Sequence, residues 1–372
     1  MAVYKIFPEK DTTLYSENAD MNTGLDEILE VSSYYKDTDA FVNRSLIQFD
    51  SAEIANVLET YVSSSTRAAT DFNASLKLFL ASANEVPNSY VIEAHPVYAG
   101  NNLSWPAGNG KFGDVPRNSS GASWTYAQAS AAPWSTATFV TQSISGSITG
   151  GGSWYTGSAS YLFNMTQSHT VASTHDVNVN VTDGVKAHYS GEIYNAGFIL
   201  KLNEENEFQT TRQLYLRYFS SNSHTIYPPC LEIKWDDFEN NSTLDEVTDS
   251  NAVVKIKNNR GEYTDEGKQR FQLHVRPKHP ARTFATSSNY LLNYYLPEES
   301  YWGLRDENTE EMVIDFDSTY TKISRSATGN YFDVYMDGLE PERHYRILIK
   351  TTIDGSTNVI DEGLMFKVVR NG

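Results

Sequence analysis

Short segments of alternating, β-branched and aromatic residues recur along this chain, and they constrain its fold more than any other feature. They are bounded by Gly, Pro, Asn or Ser, as in residues 74–80, 89–97 and 213–219, which is the pattern of half-buried strands. Helical spacing of apolar residues occurs only in residues 51–58, with Ser51 as the expected N-cap, and in residues 181–189. Because parallel α/β folds need a helix after nearly every strand, we predict an all-β protein.

Two changes in composition divide the chain of 372 residues. Residues 100–161 are rich in Gly, Ser, Ala and Trp, and we interpret them as long loops that lie over the face of a sandwich. Residues 238–250 are polar, acidic and turn-prone, and strand-like alternation resumes after them. We therefore predict an N-terminal β-sandwich in residues 1–237, a linker at 238–250 and a second β-sandwich in residues 251–372.

The C-terminal region contains strand-like segments whose spacing suits one immunoglobulin-like or fibronectin-like sandwich. Its clearest local signal is a Leu-x-Pro-x-x-x-Tyr pattern, formed by Leu339, Pro341 and Tyr345, that leads into a strand. The pattern is typical of a tyrosine corner, in which the phenol donates a hydrogen bond to the backbone a few residues upstream. We therefore expect these three residues to be structural.

The charge of the chain argues against two classes of partner. With 29 basic and 47 acidic side chains, the formal net charge is −18 at pH 7, and a field of this sign repels nucleic-acid backbones and anionic membranes. The first residues lack the cationic start and the apolar run of a signal peptide, so we expect a protein made in a cytosol. We expect no nucleic-acid partner and no membrane. The single cysteine, Cys230, has no partner for an internal disulfide and is expected to be a small buried strand residue.

The sequence carries no recognised motif of catalysis or metal binding. Its histidines lack the spacing of metal ligands, and His169 and His175 form one of the two closest candidate pairs. The run 150–152 lacks the lysine of a phosphate loop and predicts a turn. Glycoside hydrolases use a pair of carboxylates, but so acidic a chain contains many acidic pairs by chance. We interpret carboxylates such as those at 236–237 as parts of solvated loops. We predict no catalytic residue, no cofactor and no metal, with loop-bound calcium as a minor alternative.

Three motifs near the N-terminus carry a resemblance to a known family. They are an Asp-x-x-x-Tyr sequence in residues 11–16, a Gly turn with a following strand in residues 22–31, and an Asn-Arg-Ser-Leu-Ile-Gln-Phe-Asp strand in residues 43–50. With later segments that end at 228–233, they resemble the DNRLRE-type jelly-roll domains over nearly two-thirds of the chain. The resemblance implies a jelly-roll β-sandwich. One position departs from the family, because His188 occupies a helix position that usually holds Trp.

A second resemblance rests on residues 4–11, 225–229, 276–284 and 315–323. Taken whole, the chain is similar to virion structural proteins of contractile-tailed phages of cyanobacteria and marine bacteria. The resemblance implies a location in the virion, in the neck, collar or tail, and a structural role. It brings no catalytic residues with it.

These observations favour a structural and interaction protein that contacts other virion proteins and copies of itself in a ring of cyclic symmetry. Apolar anchors for these contacts are expected in the loops and in a tyrosine-rich segment, which could instead be a core strand. The residues concerned are Trp105, Trp124, Trp134, Trp154, Tyr290, Tyr294 and Tyr295. The alternative is a receptor-binding or carbohydrate-binding tail or fibre protein, whose tryptophans stack on a host-surface glycan. A polysaccharide-degrading enzyme is a third reading, and it would need two carboxylates facing a cleft.

Overall fold

Strands dominate the computed structural model, and the prediction of an all-β sandwich protein is confirmed. Two α-helices occur in the part of the chain that the structure describes. Among those same residues, no helix combines the length and the apolar character that crossing a membrane requires. The described residues are 2–62, 72–100, 103–114, 117, 120–128, 132–134, 143–146, 150–281 and 289–371.

In the described part of the chain, sixteen strands lie before residue 236. They are β1 (Ala2–Ile6), β2 (Lys10–Tyr15), β3 (Ile28–Lys36), β4 (Asp39–Gln48), β5 (Phe72–Leu78), β6 (Leu80–Asn84), β7 (Ser89–Pro96), β8 (Tyr126–Gln128), β9 (Ala132–Pro133), β10 (Ser143–Gly146), β11 (Ser153–Gly157), β12 (Met165–Thr170), β13 (Val177–Asn180), β14 (Phe198–Leu202), β15 (Leu214–Phe219) and β16 (Cys230–Trp235).

Ten more strands follow among the described residues, which also contain four short helices. The strands are β17 (Ala252–Ile256), β18 (Glu262–Thr264), β19 (Lys268–Pro277), β20 (Ser300–Asp306), β21 (Met312–Ile314), β22 (Ser324–Ser326), β23 (Gly329–Tyr335), β24 (His344–Ile353), β25 (Ser356–Ile360) and β26 (Met365–Val369). The α-helices are α1 (Ser51–Thr60) and α2 (Thr182–Tyr189), and 3-10 helices span Ser221–Ser223 and Asn289–Leu291.

The chain divides into two compact units. The N-terminal unit comprises Ile6–Arg67 and Asn73–Glu232, and the C-terminal unit comprises Met1–Lys5, Ala68–Phe72 and Ile233–Gly372. This division differs from the expected boundary after residue 237. Val3 lies in the core of the C-terminal unit, and a sequence pattern cannot show which core a lone N-terminal strand joins.

The N-terminal unit is built around an eight-stranded antiparallel sheet. The strand order is β12-β7-β14-β4-β3-β15-β6, and β2 also pairs with β4. Leu46 on β4 lies opposite Ile199 on β14 and Thr12 on β2, and all three side chains are buried. A second sheet contains β16, β5 and β13 as neighbours in that order, and Cys230 on β16 is buried, as predicted for that residue. The arrangement agrees with the expected β-sandwich.

Both helices of the N-terminal unit lie where the apolar spacing predicted them. Helix α1 buries Ile54, Val57 and Leu58, which share one face. Its N-cap is Asp50 and not Ser51, because the Asp50 carboxylate accepts a hydrogen bond from the backbone N–H of Ala52 at 2.9 Å. A carboxylate satisfies a free N–H at a helix start as well as a hydroxyl does.

The C-terminal unit has the two sheets of an immunoglobulin-like sandwich. One sheet has the order β17-β19-β23-β22, and the other has the order β18-β26-β24-β20-β21 with β25 paired to β24. In immunoglobulin lettering these are strands A-B-E-D and A′-G-F-C-C′. Trp302 on β20 is fully buried and stacks on Phe332 with ring centroids 5.1 Å apart, so this sandwich has the core tryptophan on strand C that the fold typically carries.

Candidate functional site

The four tryptophans of the loop region are buried in the core of the N-terminal unit. Their exposed fractions lie between 0% and 8%, and they form one cluster with Leu46 and Ile199 of the main sheet. The indole N–H of Trp105 donates to Ala196 O at 2.8 Å, and that of Trp134 donates to Ser123 O at 2.9 Å. This corrects the expectation of exposed anchors or glycan platforms at Trp105, Trp124, Trp134 and Trp154. Large apolar rings gain more from burial than from solvent exposure, and the small residues around them let the loops pack closely.

Arg44 contacts two rings of this tryptophan cluster. Its guanidinium carbon lies 5.1 Å from the ring centroid of Trp124 and 5.2 Å from that of Trp154. Glu207 accepts two hydrogen bonds from Arg44, at 2.9 Å and 2.6 Å, and both side chains are almost fully buried. A planar guanidinium suits this position because it pairs with a carboxylate along its edge and stacks on aromatic rings with its faces.

A second charged group extends the network around Trp154. Lys201 Nζ lies 5.5 Å from the Trp154 ring centroid, 2.9 Å from Glu93 Oε2 and 3.9 Å from Glu207 Oε2. His95 Nε2 lies 3.4 Å from the same Glu93 oxygen. Burial alone would raise the pKa of Glu93, but the neighbouring His95 and Lys201 lower it to about 2. Glu93 is therefore ionised at neutral pH, and its contacts make it a partner for cations.

The glycine run 150–152 contacts this cluster directly. All three glycines have positive φ angles, of 118°, 87° and 93°. A Cβ on Gly151 would lie 2.7 Å from a Trp124 ring carbon and 2.8 Å from Arg44 Nη1. Arg44 Nη1 also donates to Gly151 O at 2.6 Å. Glycine is therefore needed here for its left-handed backbone and for the close approach to the cluster, and these contacts hold the loops onto the sheet.

The tyrosine corner of the C-terminal unit is confirmed. The hydroxyl of Tyr345 donates to the backbone oxygen of Glu340 at 2.8 Å, and the ring is buried beside Phe366. Leu339 is buried, and Pro341 is partly buried in the turn before β24. Burial raises the pKa of the Tyr345 phenol, and the nearby Glu340 carboxylate acts in the same direction. These residues are structural.

The tyrosine-rich segment 290–296 is part surface and part core. Tyr290, Leu291 and Leu292 are 55%, 79% and 48% exposed, and we call these three residues the apolar turn. Tyr294 is partly buried against the core, and Leu296 is fully part of it. The segment is a 3-10 turn followed by extended chain, so it is not the core strand of the alternative reading.

Hydrogen bonds hold the residues that follow the apolar turn against the sandwich. Asn293 accepts a hydrogen bond from Val275 N at 2.8 Å, and its amide donates to Thr328 O at 2.9 Å. The backbone N–H of Tyr294 donates to Val275 O at 2.8 Å. Arg325 lies 4.6 Å from the Tyr295 ring centroid. Tyr290 is therefore accessible for contacts, whereas Tyr294 and Tyr295 mainly anchor the turn.

The paired histidines belong to an aromatic cluster. His169 stacks on Tyr90 with ring centroids 4.8 Å apart, and the Tyr90 hydroxyl lies 2.8 Å from His175 Nδ1. Burial lowers the pKa of His169, the hydrogen bond to Thr174 O opposes this shift, and His175 adds to it. Across the described ranges, no three His, Cys, Asp or Glu residues are grouped as a metal site would need.

An open polar groove lies at one end of the eight-stranded sheet and was not foreseen from the sequence. Its volume is about 530 Å³. We call it the loop-end groove. Its lining residues come from the end of β3 and from two turns, and none of these segments carries a recognisable motif, so no local signal indicated it. They include Tyr35, Glu85, Asn88, Thr211, Arg212 and Gln213.

Comparisons with known proteins leave the family of this chain open. No family model matches it, and no curated protein matches it. The structure of a DUF4785 family protein from Legionella pneumophila aligns with 97% of this chain at 9% identity and a TM-score of 0.17. The chain spans 65% of that protein's length. A similarity this low carries no argument about fold or function.

Proposed function

We propose that this chain is a structural component of a tailed bacteriophage particle, in the neck, collar or tail, that makes assembly contacts and performs no catalysis. Its partners are other virion proteins and copies of itself in a ring of cyclic symmetry. The sequence resemblance supports the location. The apolar turn, residues 290–292, carries the proposal of protein contacts.

The apolar turn has the properties of an interface anchor. Three consecutive large apolar side chains are exposed together, whereas isolated exposed apolar residues are common on any surface. Hydrogen bonds from Asn293 and Tyr294 to the sandwich fix the base of the turn. A partner that covers these side chains therefore gains apolar burial without first ordering the backbone.

The test is a substitution within the turn that leaves the core intact. Leu291→Asp is expected to lower the self-association of the purified chain at least tenfold, because it places a charge in the proposed contact. Sedimentation velocity over a range of concentrations measures this effect. Leu162→Asp is the matched control, since Leu162 is 78% exposed and Leu291 is 79% exposed.

Two outcomes would contradict the proposed contact. In one, the wild-type chain stays monomeric at every concentration and also fails to bind neighbouring tail proteins. In the other, Leu291→Asp and Leu162→Asp assemble as the wild type does. The alternative of a receptor-binding or carbohydrate-binding tail protein loses its tryptophan platform, because all four rings are buried. It would need another site.

A further inference from the structure

We propose that the loop-end groove is a binding site for a neutral saccharide. The groove is lined by Tyr35, Glu85, Asn88, Arg212 and Gln213, among others, and has a volume of about 530 Å³. Typical small-molecule sites have volumes of about 300–1,000 Å³, which covers this value. The inference goes beyond the assembly role and does not depend on it.

The groove is formed where three neighbouring strands end together. Strand β15 pairs with β3 on one side and with β6 on the other, and these pairings place Leu214 opposite Ser33 and Tyr215 opposite Asn84. Residues just beyond those positions therefore meet at one end of the sheet, where these strands begin or end. The β6–β7 turn adds Glu85, whose φ of 53° is in the left-handed region. Hydrogen-bonded strands thus hold the lining residues in place.

The polar groups of the groove are available to a ligand. Among the described residues, the side chains of Glu85, Asn88 and Arg212 make no hydrogen bond or ion pair with the protein, and neither does the hydroxyl of Tyr35. Gln213 is oriented by the Tyr215 hydroxyl, which donates to its amide oxygen at 3.2 Å. The amide nitrogen of Gln213 remains a free donor. The groove therefore combines donors and acceptors with one aromatic ring.

This combination matches the chemistry of a sugar. Neighbouring hydroxyls of a pyranose each donate and accept, so planar carboxylate, amide and guanidinium groups can pair with them through two hydrogen bonds. The C–H face of a sugar ring is apolar and can pack on an aromatic ring such as that of Tyr35. Both a cation, Arg212, and an anion, Glu85, line the groove. Because the two opposite charges occur together, the groove does not favour a ligand of either charge.

The charge of the whole chain favours a neutral glycan over an anionic one. The formal net charge is −18 at pH 7, and such a field lowers the local concentration of anionic polysaccharides. The proposed ligand is therefore a neutral hexose or a short chain of neutral hexoses, bound weakly because the groove is open.

The experiment titrates the full chain with D-glucose, D-galactose, D-mannose, cellobiose and lactose, followed by saturation-transfer NMR and calorimetry. At least one sugar is expected to bind with a Kd on the order of 1 mM. Arg212→Ala and Tyr35→Ala are expected to weaken that binding at least tenfold. Tyr194→Ala and Arg260→Ala change partly or fully exposed residues outside the groove and should leave it unchanged. Equal thermal melts would show that the variants remain folded.

Several results would overturn the proposal. Saturable binding of none of the five sugars would do so, and so would binding that persists unchanged in both groove variants. D-glucuronate binding more tightly than D-glucose would refute the neutral class of ligand. Arg212 is exposed, so Arg212→Ala is a valid test even if Tyr35→Ala fails to fold. None of these results bears on the self-association of the Leu291→Asp variant, so the two proposals can fail separately.

Discussion

His188 is expected to make the stability of the N-terminal unit depend on pH. His188 lies on α2 and is partly exposed as a whole residue. Both of its ring nitrogens are buried, however, and neither has a hydrogen-bond partner among the described residues. Its ring packs against Phe198 with centroids 5.4 Å apart. Burial lowers the pKa of His188 to about 3, because an imidazolium there would lose its hydration without gaining a partner.

The sign of the effect follows from proton binding. Between pH 6.5 and 3 the unfolded chain binds a proton at His188 that the folded chain does not bind, so the free energy of unfolding falls as the pH falls. The slope is about 1.4 kcal/mol per pH unit below 6.5, which gives about 2 kcal/mol between pH 7.5 and pH 5. Asp11 acts in the opposite direction over part of this range, because burial raises its pKa to about 6 and hydrogen bonds to Ser221 only partly offset this.

A comparison of variants separates the two groups. Urea unfolding of the wild type and of His188→Phe, at several pH values from 7.5 to 5, gives the difference in free energy of unfolding at each pH. Asp11 is present in both proteins, so its contribution cancels. The variant is expected to gain about 2 kcal/mol relative to the wild type as the pH falls to 5. The exposed His344→Gln serves as the control and should follow the wild type. A pH-independent difference between His188→Phe and the wild type would refute the argument.

Three further predictions concern the tyrosine corner, the buried ion pair and catalysis. Tyr345→Phe should lower the free energy of unfolding by about 1 kcal/mol because it leaves Glu340 O unpaired, and Tyr345→Ala should lower it by about 3–5 kcal/mol because it also opens a cavity. Equal stability of the wild type and both variants in urea would show that the corner contributes nothing. Glu207→Ala should lower the free energy of unfolding by about 3–5 kcal/mol because it leaves Arg44 buried and unpaired. Glu17→Ala, which breaks the more exposed pair with Lys36, should lower it by less than about 1 kcal/mol. Similar losses in the two variants would argue against the buried network. The purified chain should release no reducing sugar from host-surface polysaccharide, and a release that one carboxylate-to-amide change abolishes would identify an enzyme instead.

Features set by local sequence were predictable. Alternation and turn residues indicated the all-β class, apolar spacing located both helices, and a pattern spanning only a few residues identified the Tyr345 corner. Strand β20 holds the core Trp302, but Gly303 interrupts its apolar pattern, so it is hard to recognise from sequence. Its outline is clear only once its pairing with β24 is known.

Features that depend on distant residues were not predictable. Arg44 and Glu207 are 163 positions apart, and nothing near either residue indicates that they pair between two tryptophans. The four tryptophans of the loop region are buried, whereas the composition of that region indicated exposed anchors. The loop-end groove likewise combines the end of β3 with two separate turns, and neither turn differs from an ordinary solvated turn when taken alone.

A density map of the intact phage particle tests the central claim most directly. The account predicts that this chain occupies a ring of cyclic symmetry in the neck, collar or tail, and that residues 290–292 lie against a neighbouring protein or a second copy of the chain. A complete map of the particle in which no density fits the two sandwiches would contradict the account, as would a position in which residues 290–292 face solvent in every copy.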